Sequence, residues 1–130
     1  MIPSKSKKNL EATVEEIRKF SFSYLEKYAP SKQQLRIYLL KKFFKSSNFY
    51  VAKSELLTLI DLVIFDLEKS NFISDKFYSK SKTKKFLKKG YSLNKIRNYL
   101  INKGINEKYI KDSISKINLE ETDQDFFSAI

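Results

Sequence analysis

One stretch decides the fold: residues 71–105 read NFISDKFYSKSKTKKFLKKGYSLNKIRNYLINKGI. It predicts two helices with a sharp turn between them. Ser74 or Asp75 can cap the first helix, because a short side-chain oxygen accepts a hydrogen bond from an otherwise unpaired backbone N–H. Gly90 can end it, since glycine adopts the left-handed conformation without steric cost. Ser92 then caps the second helix and Gly104 stops it.

The first of these helices carries an unusual concentration of positive charge. Seven lysines and no acid lie between Lys76 and Lys89. At the rise of an α-helix, this run covers roughly 20 Å. A rigid helix with so much unopposed charge predicts an anionic partner.

The composition of the 130 residues indicates an all-α protein. Hydrophobic residues make up 42% of the chain, which is enough for a core, whereas only two Gly and two Pro occur. So few turn residues do not fit a β sandwich or barrel. The net charge of +11 indicates nucleic acid, an anionic membrane surface or an acidic protein face as partner. The alternative is a compositional bias, since lysine supplies 23 of the 26 basic residues and Arg18, Arg36 and Arg97 the other three.

Several functional classes are disfavoured by what the sequence lacks. Without Cys or His, we expect no disulfide, zinc site or thiol nucleophile, and the commonest general base is missing. Residues 1–9 are basic, but no apolar region of a signal peptide follows. The most apolar stretch, Leu56 to Phe65, is too short to span a bilayer. We therefore expect a soluble cytoplasmic protein.

The apolar periodicity predicts three helices before the opening stretch, at about 13–28, 31–44 and 52–70. Thr13 with Glu16, and Ser31 with Gln34, fit capping boxes. In the second helix, the apolar stripe consists of Leu35, Tyr38 and Leu39, widened by Ile37, Leu40 and Phe44. The predicted organisation is a flexible basic arm at 1–12, a first three-helix repeat at 13–70, a second at 71–118, and at 119–130 an acidic tail or the start of a third repeat.

The chain matches itself at an offset of 61 positions, the distance from Ser31 to Ser92. Each copy reads as a helix, a sharp turn, a capped helix and a third helix. We therefore expect tandem three-helix, helix-turn-helix-like repeats stacked into an elongated body. The alternative is that two capped amphipathic helices look alike by chance. The further aligned pairs are Leu25/Phe86, Leu35/Ile96, Arg36/Arg97, Tyr38/Tyr99, Leu39/Leu100, Leu40/Ile101 and Lys42/Lys103.

Residues 25–42, and more strongly 72–105, resemble the RecX family of RecA regulators. The motifs of the second segment follow in family order: Ile73-Ser74-Asp75, Tyr78-Ser79, Gly90-Tyr91-Ser92, Ile96-Arg97 with Leu100, and Lys103-Gly104-Ile105. The sequence departs from the family at Ser74, which replaces an Asp, at Ser79, which replaces an Ala, and at Lys82, where an aromatic is usual. We expect these departures to soften the packing of that helix and to leave the turns intact.

The resemblance implies an all-helical crescent that binds the RecA–DNA filament in its helical groove. The implied function is regulation, mainly inhibition, of RecA in DNA repair, homologous recombination and the SOS response. Strand exchange, ATP hydrolysis and filament growth would be restrained. Family members usually have three repeats, whereas this sequence has two complete ones, and Asp123 to Ile130 resembles the first turns of a third.

We expect the basic faces of the two repeats to contact acidic protein surface and the DNA backbone. Arg36 and Arg97 are the favoured residues, because a guanidinium group binds a carboxylate or phosphate through two hydrogen bonds. The alternative for each arginine is a structural salt bridge within a repeat, and for each lysine it is plain solvation. The candidate contact residues are Lys32, Arg36, Lys80, Lys84, Lys85, Lys88, Lys89, Lys95 and Arg97.

Two other functional classes are open to test. A stand-alone DNA-binding protein of the helix-turn-helix type would use 92–103 as its recognition helix, although Asn94, Asn98 and Asn102 at fourfold spacing read as an ordinary solvent face. Both readings predict weak, sequence-independent DNA binding. An enzyme is disfavoured, because no carboxylate pair has acid/base or metal-ligand spacing. We expect a monomer without cofactor or metal.

Overall fold

A computed structural model describes residues 12–46 and 53–116, which form two compact units. The boundary between the units lies between Ile73 and Ser74. All regular secondary structure in the described ranges is helical, so the predicted all-α class is confirmed. The stacking of the repeats into an elongated body stays a prediction. The helices are α1 (Val14–Lys27), α2 (Lys32–Ser46) and α3 (Lys53–Lys69) in the first unit, and α4 (Asp75–Lys88), α5 (Leu93–Asn102) and α6 (107–116) in the second.

Side-chain caps begin the first two helices where the sequence predicts them. Thr13 accepts a hydrogen bond at its Oγ1 from the backbone N–H of Glu16, at 3.2 Å. Ser31 and Gln34 form a reciprocal capping box, in which each side-chain oxygen accepts from the other residue's backbone N–H, at 3.2 and 2.9 Å. Two of the backbone donors that a helix start leaves unpaired are thereby satisfied.

The core of the first unit is formed by one stripe from each helix. On α2, Leu35, Leu39 and Phe43 are fully buried. The sequence interpretation of this helix was therefore wrong in part: Ile37 and Phe44, assigned to the apolar stripe, are about half exposed. Phe43 takes the inward place, where its ring meets Phe20 of α1 edge to face at 5.4 Å. The other buried apolar residues of this core are Ile17, Leu56, Ile60, Val63, Ile64, Leu67 and Ile73.

Three turns share one hydrogen-bond pattern. Asn71, which follows α3, has a φ of +65°, and the next residue, Phe72, donates its backbone N–H to the carbonyl of Leu67 at 2.9 Å. Gly90 and Gly104 have φ values of +87° and +81° and end α4 and α5 through equivalent bonds. This is the Schellman ending, in which a left-handed residue allows the last carbonyls to be paired. The prediction of left-handed glycines at both positions is confirmed.

The second unit has smaller helices and its own core. Ser74 and Ser92 cap α4 and α5 by accepting from the N–H groups three residues later, both at 3.1 Å. Asn106 accepts from the N–H of Lys108 at 2.8 Å, at the start of α6. Phe86 packs its ring against two tyrosines, Tyr91 and Tyr99, at 4.9 and 4.7 Å. The buried apolar residues of this core are Tyr78, Phe86, Ile96, Leu100, Ile105 and Ile110.

The offset of 61 found in the sequence also relates the elements of the two units. Moving α1 by 61 positions, from 14–27 to 75–88, gives the bounds of α4. The caps Thr13 and Ser74 are then equivalent. The aligned apolar pairs Leu35/Ile96 and Leu39/Leu100 are all fully buried. The two units therefore place equivalent residues in equivalent roles, which is what a repeat requires.

Candidate functional site

The lysines of α4 divide into an exposed majority and one that packs on an aromatic ring. Lys82 lies over the ring of Tyr78, with its Nζ 5.6 Å from the ring centroid. Four others recur at every fourth position along the solvent side of the helix and are all exposed. We call them the lysine face of α4: Lys76, Lys80, Lys84 and Lys88.

The opposite side of α4 holds the helix in place. Ser79 is fully buried, and its Oγ lies 2.8 Å from the Oγ of Ser113 and donates to the carbonyl of Tyr109 at 3.2 Å. These bonds join α4 to α6 at the position where the RecX family usually has alanine. Tyr78 and Phe86 belong to the core of the second unit. Because these contacts fix the rotation of α4 about its axis, the lysine face points to solvent.

Charge on α6 adds to that of α4. The ammonium group of Lys116 lowers the pKa of Lys80, and burial and Lys76 lower it further, whereas Asp112 acts in the opposite direction. Asp112 is itself 3.9 Å from the ammonium of Lys116. Three lysines, Lys76, Lys80 and Lys116, and one carboxylate, that of Asp112, therefore act on one another here, which is a net positive charge. Sequence analysis did not select Lys76 and Lys116; the fourfold spacing would have found Lys76, but only the packing of α6 on α4 brings in Lys116.

Both candidate arginines are paired within their own unit. Arg36 of α2 donates from Nε and Nη2 to the two carboxylate oxygens of Asp61 on α3, at 2.7 and 3.1 Å. The hydrogen bond to Asp61 raises the pKa of Arg36. Arg97 of α5 pairs with Glu107 at the start of α6. The structural salt bridge that sequence analysis held as the alternative is thus present in both units, and contact with a partner stays a prediction.

The remaining candidate lysines differ in whether they contact other side chains of the protein. Lys32 donates to Glu68 at 3.2 Å, and Lys95 lies over the ring of Tyr91, with its Nζ 4.1 Å from the centroid. Lys85 is exposed on the last turn of α4, and Lys89, the residue that caps the end of this helix, is exposed too. The structure therefore brings five of the predicted lysines together on α4 and its C-cap: Lys80, Lys84, Lys85, Lys88 and Lys89. Lys32 and Arg36 belong to the other unit.

The face proposed for a recognition helix is also exposed. Asn94, Asn98 and Asn102 all lie on the solvent side of α5. An amide side chain can bind a base edge. Exposed asparagines are equally typical of a helix face that contacts only water, so their exposure alone does not indicate DNA binding.

Within residues 12–46 and 53–116, no three acidic side chains come together as a metal site. No helix of these ranges has the length and apolar character needed to cross a bilayer. The acids of the tail, Glu120, Glu121, Asp123 and Asp125, lie outside the described residues.

Comparison of the chain with models of protein families, with curated proteins and with solved structures finds no match in any of the three. The resemblance to the RecX family therefore rests on the sequence motifs themselves.

Proposed function

We propose that this protein is a non-enzymatic, RecX-like regulator that binds RecA filaments and mainly inhibits them. In this proposal, the lysine face of α4 and its neighbours Lys85 and Lys89 contact the DNA backbone and acidic RecA surface. The two units act as successive repeats along the filament in the cytoplasm. The protein requires no cofactor.

The observation that carries the proposal is the segment 72–105, in which the RecX-like motifs occur in order. Its turn residues have the conformations that those motifs imply: Gly90 and Gly104 are left-handed, and Ser92 is a helix cap. The equivalence of the two units at an offset of 61 supports a tandem-repeat protein. The net positive charge of α4, which has six lysines and one acid, supports an anionic partner such as a nucleoprotein filament.

The decisive experiment measures RecA strand exchange and ATP hydrolysis on single-stranded DNA with increasing amounts of the protein. We expect both activities to slow at concentrations below those that coat bare DNA. A triple variant, Lys84→Gln, Lys85→Gln and Lys88→Gln, should lose most of this effect. The matched control removes the same number of charges from exposed positions of the first unit, through Lys19→Gln, Lys41→Gln and Lys53→Gln.

A helix-turn-helix DNA-binding protein is the second candidate, and the exposed asparagines of α5 favour it. It would bind duplex DNA and leave RecA activities unchanged. In that case, Asn94→Ala and Asn98→Ala should weaken binding to some duplex sequences more than to others. If the parent protein binds duplex DNA and has no effect on RecA, the RecX-like proposal is wrong.

A further inference from the structure

Phe77 lies on the solvent side of α4 among the lysines. Its side chain is 68% exposed, the highest value of any large hydrophobic residue in the described ranges. Lys80, Lys84 and Lys88 follow it at i+3, i+7 and i+11, which places all four residues on one side of the helix. Single exposed apolar residues are common on protein surfaces. An exposed ring at the start of a row of cations, directly after Lys76 and three residues before Lys80, is a more specific arrangement.

The surroundings of Phe77 restrict what can cover its ring. An apolar protein surface that covered it would also have to remove the neighbouring ammonium groups from water, which is unfavourable without anionic partners. A partner that offers flat rings and regularly spaced anions satisfies both features. Single-stranded nucleic acid has this chemistry, since each nucleotide provides a base with a π-face and a phosphate.

The spacing of the cations fits such a strand. Consecutive members of the lysine face lie four residues apart, about 6 Å along the helix axis. This is close to the rise of two stacked nucleotides, because phosphates recur at about 3.4 Å per strand in B-form DNA. Two acids of α6 have partners of their own: Asp112 pairs with Lys116, and Glu107 pairs with Arg97. Asp75, the acid at the start of α4, is buried.

We propose that the side of α4 formed by Phe77, Lys80, Lys84 and Lys88 binds single-stranded nucleic acid, with one base stacked on the ring of Phe77 and the lysines on the phosphates. Duplex DNA binds more weakly here, because its bases are stacked inside the helix and do not reach the ring. The inference deepens the proposed function, since it assigns the DNA contact of α4. Its test needs no RecA, so either proposal can fail without the other.

The test measures the affinity of the full chain for labelled oligo(dT), oligo(rU), a blunt duplex and inorganic polyphosphate by fluorescence anisotropy at several salt concentrations. Phe77→Ala should weaken binding of both single strands roughly 5- to 140-fold, which corresponds to the free energy of stacking one base on an aromatic ring. Binding of polyphosphate should not change. Phe77→Trp should restore single-strand binding, because it supplies another aromatic face.

The lysines and the ring should differ in their salt dependence. Lys84→Gln should reduce the slope of log K against log salt by about 0.7 for a single strand, whereas Phe77→Ala should leave the slope unchanged. The matched control is Phe65→Ala, which removes an exposed ring on α3 over which a single lysine lies, Lys69, with its Nζ 5.4 Å from the ring centroid. It should leave all four affinities as in the parent.

Four results would overturn the inference. The first is that Phe77→Ala binds oligo(dT) like the parent, which would make α4 a simple cationic surface. The second is that the duplex binds as tightly as the single strands. The third is that the parent chain is a dimer in sedimentation and Phe77→Ala a monomer, which would make a second copy of this chain the occupant. The fourth is that Phe77→Ala loses affinity for oligo(rU) alone, because a base stacked on the ring without contacts to the sugar predicts equal losses for oligo(dT) and oligo(rU).

Circular dichroism should show parental helicity for the alanine and tryptophan variants, since Phe77 is not part of the core.

Discussion

Arg36 and Asp61 form a two-point ion pair between α2 and α3, with Nε–Oδ1 at 2.7 Å and Nη2–Oδ2 at 3.1 Å. Sixty-one positions later, Arg97 pairs with Glu107 at the start of α6. The same arginine position therefore joins the second helix of a unit to its third helix in both units. Arg36 and Arg97, which the sequence predicts as contacts to a partner, therefore also join two helices of their own unit.

The stabilisation from the Arg36–Asp61 pair should be small. The two side chains are 45% and 52% exposed, so water and salt screen their attraction. A double-mutant cycle with Arg36→Ala and Asp61→Ala, measured by denaturant unfolding, should give a coupling of less than about 1 kcal/mol. The coupling should fall further in 1 M salt. A coupling of several kcal/mol would show that the pair is not screened as its exposure indicates.

A charge swap separates the structural role of Arg36 from a role in binding. The double variant Arg36→Asp with Asp61→Arg keeps an ion pair between α2 and α3 but moves the positive charge to the other helix. If Arg36 contacts RecA, as expected from the sequence, the swap should restore stability lost in either single variant and leave the inhibition of strand exchange impaired. Recovery of both properties would assign Arg36 to folding alone. Arg97→Ala should likewise reduce the effect on RecA while most non-specific DNA binding is kept.

The left-handed turns should show a clear order of substitution costs. A side chain at Gly90 would meet open space, since no heavy atom lies within 4 Å of an added Cβ. The cost of Gly90→Ala is therefore that of the backbone conformation alone, about 1–2 kcal/mol in the free energy of unfolding. Gly90→Val should cost more, because β-branched residues tolerate this conformation poorly. Asn71→Gly is the control and should be neutral or slightly stabilising, since Asn71 already has a φ of +65°.

One buried hydroxyl of α4 has no hydrogen-bond partner within the described residues, the Oγ1 of Thr83. Replacing it with a methyl group of the same shape removes an unpaired polar group from the interior. We expect Thr83→Val to raise the free energy of unfolding by about 1 kcal/mol. Ser79→Ala is the contrast: it removes the bonds to Ser113 and Tyr109 and should lower the free energy by about 1–3 kcal/mol. If Thr83→Val and Ser79→Ala change the free energy of unfolding equally, the assignment of an unpaired hydroxyl to Thr83 and a hydrogen-bonded one to Ser79 is wrong.

Two adjacent phenylalanines of α2 should respond differently to truncation. Phe43 is fully buried, whereas Phe44 is 47% exposed. Phe43→Ala should cost about 3–5 kcal/mol, because it leaves a cavity in the core of the first unit. Phe44→Ala should cost less than about 1 kcal/mol. Thermal or denaturant unfolding measures both, and a larger loss at Phe44 would mean that α2 is rotated from its observed position.

The sequence by itself determined the helices, their caps and their turns, because these depend on interactions within a few residues. Ser31 with Gln34, Ser92, Gly90 and Gly104 each act on backbone groups of their own turn, so their roles are readable from local spacing. The repeat was readable for the same reason, since equivalent local signals recur at an offset of 61. The recurrence of lysine at every fourth position of α4 also predicts, without tertiary information, that these side chains share one side of the helix.

The tertiary structure decided which residues meet across helices. Phe43 rather than Phe44 enters the core because α2 packs against α1 and α3 at once, and both neighbours fix its rotation. Asp61 was selected as the partner of Arg36 by the packing of α3, twenty-five residues away in sequence. The exposure of Phe77 has the same origin. The packing of α4 buries Tyr78 and Ser79, and this rotation of the helix leaves Phe77 on the solvent side with the lysines. Such contacts depend on the relative rotation of helices, which periodicity alone does not specify.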